Sequence, residues 1–134
     1  MERVFDLDET LASVRAALEV GNFQAAVGVL EQLRPADQAE VFSELDEQDQ
    51  EELLPQMDEE DSADILEWLD DQEAADLAES LSDQDLVRII DEMEPDEAAD
   101  LLGDLPPERT SAILAALEDP DEIRPLLVLS LIHI

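Results

Sequence analysis

The 134-residue chain carries 39 Asp plus Glu against 6 Lys plus Arg, a formal net charge of -33, yet 45% of its residues are hydrophobic. That apolar content can bury the core of one domain, while a field of that sign repels nucleic acid and anionic lipid and attracts cations or basic protein surfaces. With no cysteine there is no disulfide, thiolate metal site or cysteine nucleophile, and no apolar run reaches the ~20 residues of a membrane-spanning helix.

Arginine supplies all six cations, so adaptation to high salt is a second source of the acidity. The N-terminal "MERVFDLDETL" is acidic where a signal peptide would be basic and then apolar, and the chain is expected to be soluble and cytoplasmic.

In chain order, Leu7, Leu11, Val14 and Leu18 mark a first helix that Gly21 stops, so residues 1-21 form an N-terminal helix. Residues 22-117 then divide into eight consecutive twelves without insertion: NFQAAVGVLEQL, RPADQAEVFSEL, DEQDQEELLPQM, DEEDSADILEWL, DDQEAADLAESL, SDQDLVRIIDEM, EPDEAADLLGDL and PPERTSAILAAL. The last position is always Leu or Met, the eighth is Val, Leu or Ile, and the ninth is apolar from Leu30 to Leu114. With mostly small or apolar fifth and sixth positions, the spacings of three and four make one helical stripe per unit.

The ends of each unit carry their own chemistry. Asn, Asp or Ser often stands first as an N-cap, and the fourth position is usually acidic, as in Asp61, Glu73, Asp85 and Glu97. Proline falls second at Pro35, Pro95 and Pro107, in the first helical turn where it costs least. A helix of about ten residues, roughly 15 Å long, must pack its stripe on neighbours, so the repeat predicts an all-helical superhelix. Pro55, tenth in its unit, predicts a kink or early stop and a bend between the first three and later units. After Leu117, "EDPDEIRP" reads as punctuation, leaving 118-134 as a linker or tail.

Enzymatic readings fail on inventory. The single His133 lies in the tail, and without lysine and with three glycines there is no phosphate-cradling loop or dinucleotide fingerprint. Paired carboxylates working as acid and base need a pocket, usually with aromatic walls. Of Phe5, Phe23, Phe42 and Trp68, Phe23 and Phe42 are expected in the core and Trp68 as a half-exposed contact, so no enzyme is expected.

Binding of a hard cation is a better use of the carboxylates, since Mg²⁺ keeps several waters and is held by one or two protein oxygens. In "EPDEAADLLGDLPPE" Asp96, Asp100 and Asp104 stand four apart, where like charges cost roughly 0.2 to 0.5 kcal/mol per neighbouring pair. The seventh position holds Glu40, Glu52, Asp64, Asp76 and Asp100, beside the apolar stripe, so stacked units would line them into a ridge. A solvated face explains any single member equally well, and spacing alone leaves the choice open.

The stretches "LRPADQAEVFSEL", "DEEDSADILEWL" and "EPDEAADLLGDLPPERTSAIL" closely resemble the cytosolic N-terminal domain of MgtE-type magnesium channels, over roughly residues 10-120. The resemblance implies an all-α fold, a right-handed superhelix or solenoid of short helices in 12-residue repeats. It implies a domain that precedes paired CBS domains and a channel in a homodimer, on the cytoplasmic side of the cell membrane, without direct membrane contact. Mg²⁺ bridging acidic surfaces of this domain and the CBS domains would then hold the pore closed.

Carried over by position, the implied ion contacts are Asp64, Asp96 and Asp100; Asp76 and Glu97 are candidates for additional acidic contacts that the pattern itself does not assign. Because the CBS half of each site lies outside this sequence, Mg²⁺ binding by the isolated domain is expected to be weak. "VLSLIHI" does not look like the start of CBS sequence and is read as an appended or truncated end. The alternative is a helical-repeat interaction module without a metal role, since flagellar rotor proteins carry similar short-helix repeats.

Overall fold

The computed structural model describes residues 6-132, and all regular structure among them is helical. In order it comprises α1 (Leu7–Glu19), α2 (Phe23–Glu31), α3 (Pro35–Ser43), α4 (Glu47–Leu53), a 3-10 turn (Leu54–Gln56), α5 (Glu59–Trp68), α6 (Asp71–Ser80), α7 (Asp83–Asp91), α8 (Pro95–Gly103), α9 (Pro107–Ala116) and α10 (Pro120–Ile132). From α2 to α9 the helices start at 23, 35, 47, 59, 71, 83, 95 and 107, so the sequence period is also the period of helix starts.

Local chemistry accounts for these boundaries. Asn22, Asp70 and Ser82 accept the backbone N–H three residues on, at 3.1, 2.8 and 3.1 Å, and so cap α2, α6 and α7. Pro35, Pro95 and Pro107 occupy the first helical position, where the missing N–H has no intrahelical acceptor to lose. Helix α1 closes with the N–H of Gly21 donating to Leu18 and that of Asn22 to Ala17, and Gly21 takes a φ of 72°. This is the left-handed residue that ends a Schellman turn. Pro55 stops α4 at Leu53 and tightens the next three residues into the 3-10 turn, the early stop expected of it.

The chain divides into two compact units, Met1–Trp68 and Leu69–Ile134. In the first, α1 packs on α2 and α3, α2 on α3 and the 3-10 turn, and α3 on α5. In the second, α6 packs on α8, α7 on α9, and α10 on α8 and α9. Each unit thus packs helices both on their sequence neighbours and on the next but one. The stripes meet as the spacing requires: Val41, Leu53, Ile65, Leu77, Ile89, Leu101 and Ile113 are buried at the eighth position, as are Phe42, Leu54, Leu66, Ala78, Ile90 and Leu102 at the ninth.

The stripe is not purely apolar. Its fifth position holds Gln38, Gln50, Ser62 and Thr110, and each donates to the main chain of the preceding unit. Gln50, Ser62 and Thr110 reach the carbonyls of Phe42, Leu54 and Leu102, eight residues back, at 2.9, 2.9 and 2.7 Å, and Gln38 reaches Leu33 at 3.3 Å. Gln38 and Ser62 are buried on these terms and Gln50 and Thr110 half-buried, because a carbonyl of one unit waits for the start of the next helix.

One segment gains structure and one expectation needs correction. After Leu117, Pro120 sits at a helix start with Asp121 and Glu122 in the first turn, and α10 continues past Pro125, burying Ile123 and Leu127. The same residues that read as punctuation are a good helix start. Phe23, placed in the core from its sequence, is only half-buried, whereas Phe42 is fully buried. Phe5 and His133 lie outside the described residues.

Candidate functional site

All five candidate acids are exposed, Asp64 on α5, Asp76 on α6, and Asp96, Glu97 and Asp100 on α8. Within the second unit, Asp96 and Asp100 stand one turn apart on α8, as their spacing requires. Asp76 is held by Gln72, whose amide donates to its carboxylate at 2.9 Å, and Glu97 is already engaged with a partner. Among the described residues, no three or more His, Asp or Glu side chains converge closely enough to hold a metal ion.

Carboxylates nevertheless collect in each unit. In the second, partial burial pushes the Asp104 carboxyl above its usual range, and the charges of Asp71 and Asp100 push it further. Asp71 opens α6 and Asp104 caps α8, and the packing of α6 on α8 brings them into electrostatic range. Asp100 therefore shares its surroundings with two acids that the family pattern does not assign to the ion. Asp104 is otherwise exposed, which leaves this repulsion open to screening by salt.

In the first unit, burial is the main influence raising Asp61, followed by the charges of Asp58, Glu31 and Asp64. A hydrogen bond from the side chain of Gln38 acts in the opposite sense. Asp64 thus belongs to a group of four acids drawn from α2, the start of α5 and α5 itself. Asp61 and Asp71 were missed as members because neither holds the seventh position; the clue was their place in the first turn of helices stacked on another acidic unit.

Two arginines spend their nitrogens mainly on main-chain carbonyls. Arg109 donates Nε to Asp83 at 3.0 Å, but its other nitrogens go to the carbonyls of Ala78, at 2.9 Å, and Leu81. Arg15 likewise donates to the Glu44 carbonyl at 2.9 Å. Both guanidinium groups close helix ends, a use that repeat spacing does not reveal.

A family model described as the MgtE intracellular N domain matches residues 25–129. The chain belongs to this family. The fold of this MgtE N domain is similar to a crystal structure described as the soluble part of a magnesium transporter, with a TM-score of 0.77 and 23% identity over 91% of this chain and 49% of the other. It is also similar to one described as the cytosolic domain of the Mg²⁺ channel MgtE in complex with ATP, with a TM-score of 0.74 and 25% identity over 87% and 48%. The domain therefore spans about half the length of each solved chain. No curated protein sequence matches it significantly. Both neighbours are described as parts of transport proteins, and no helix among the described residues is long and apolar enough to cross a membrane.

Proposed function

We propose that this MgtE N domain is the cytosolic Mg²⁺ sensor of a magnesium channel, and that it docks on CBS domains of the same protein when Mg²⁺ bridges the two acidic surfaces. The observation that carries this is the exposed pair Asp96 and Asp100 one turn apart on α8, with Asp104 and Asp71 nearby and Arg109 committed largely to main-chain carbonyls. Oxygen donors of this kind suit a hard cation that keeps most of its water. Asp64, in the other unit, adds a second carboxylate surface for the same use, with Asp76 and Glu97 as outlying contacts.

The lack of a three-carboxylate cage among the described residues accords with an ion whose shell is completed by a facing protein surface. Mg²⁺ would then bind the docked arrangement better than the undocked one and shift the population between them, with weak affinity for the isolated domain. Docked CBS domains would hold the pore of a homodimer closed, on the cytoplasmic side of the membrane. The test joins the domain to its CBS segment and titrates Mg²⁺ at fixed ionic strength, with Asp96→Asn and Asp100→Asn beside the parent. Both variants should need several-fold more Mg²⁺ to reach the docked state; docking midpoints identical to the parent's would remove Asp96 and Asp100 from the site.

A further inference from the structure

Trp68, the last residue of α5, is the only tryptophan in the chain and stands 59% exposed, although indole is among the costliest surfaces to leave in water. It forms one wall of an open groove of about 390 Å³. Asp64, one turn earlier on α5, lines the same groove, as do Glu67, which already has a partner, and Pro35 and Ala36 from the first turn of α3. All five residues belong to the first unit, where α3 packs on α5.

An indole face beside carboxylates has a definite chemical preference. The ring quadrupole attracts a cation within about 6 Å, most strongly where the cation is poorly hydrated and flat enough to stack. A carboxylate beside it adds a charge-assisted hydrogen bond of matching geometry. Hydrated Mg²⁺ uses only the carboxylates, and an ammonium is compact and strongly hydrated, whereas guanidinium uses both walls. Arg34, next to Pro35 in sequence, is not among the residues that line the groove. The surrounding charge of -33 favours a basic occupant further.

We infer that the groove formed by Trp68, Asp64, Glu67, Pro35 and Ala36 is a docking site for an arginine side chain presented by a protein partner. This requires no metal ion and stands apart from the sensing role proposed for α8, although Asp64 serves in both.

The test uses the 134-residue chain in Mg²⁺-free buffer at fixed ionic strength, with the single tryptophan as reporter. Acetyl-Gly-Arg-Gly-amide should change Trp68 emission saturably, at roughly millimolar concentration. The lysine peptide should be roughly fivefold weaker and the uncharged citrulline peptide inactive. Asp64→Asn should weaken the arginine peptide several-fold, and Trp68→Leu, followed by line broadening of the peptide's NMR signals, should abolish binding with helical content unchanged.

Equal response to arginine and lysine peptides would mean attraction by the overall charge, and would overturn the assignment. So would an unaltered affinity in Asp64→Asn. An emission change that depends on protein concentration without peptide would give the groove to a second copy of the chain instead. Because Mg²⁺ is absent throughout, none of these results bears on the sensing role of Asp96 and Asp100.

Discussion

Burial and neighbouring carboxylates shift the Asp61 and Asp104 carboxyls upward. A carboxyl with a raised folded pKa holds its proton more tightly in the native state than in the unfolded chain, so stability falls as pH rises through the raised value. Conversely, it is regained as pH drops toward the unfolded value of 3.8. Asp61→Asn keeps an oxygen that can accept from Gln38 and removes the charge. It should therefore unfold at higher urea than the parent at pH 7, with an advantage that shrinks toward pH 4; an advantage constant across that range would contradict burial and charge repulsion as its cause.

Between elements, Arg109 does the work that a larger apolar contact would do elsewhere. From the first turn of α9 it reaches the carbonyls of Ala78 and Leu81 at the end of α6 and the carboxylate of Asp83 at the start of α7. Arg109→Ala should cost about 1 to 3 kcal/mol, the range for leaving part-buried acceptors without their donor. Arg109→Lys should recover little of this, because a single ammonium cannot span the three acceptors as a planar fork does. Urea denaturation of the two variants measures both values, and a lysine variant as stable as the parent would show that charge alone matters.

Helix placement was legible in the sequence because the information is local: an N-cap or Pro at the start, an apolar stripe, and a Leu or Met that turns inward at the end. Even the stop at Pro55 could be read in advance. What could not be read depends on neighbours brought in by packing. Gln50, Ser62 and Thr110 look like interruptions of a stripe until the carbonyls of Phe42, Leu54 and Leu102 are placed opposite them. Asp104, though exposed, has no charged neighbour from another helix until Asp71 arrives with α6. For α10, local signals were present but ambiguous, since Pro120 followed by acids serves a turn and a helix start equally well.

For the molecule as a whole, the charge of -33 is too large to be informative residue by residue, and general screening would relieve much of it. The central proposal is narrower: a divalent cation, held by particular carboxylates against a facing surface, would draw this MgtE N domain onto CBS domains. The radius of gyration of the domain joined to its CBS segment, measured by small-angle X-ray scattering, tests this most directly when Mg²⁺ is compared with Na⁺ at equal ionic strength. Compaction with Mg²⁺ and none with Na⁺ is the predicted result. Equal compaction by the two salts would contradict the account and assign the acidic surface to screening alone.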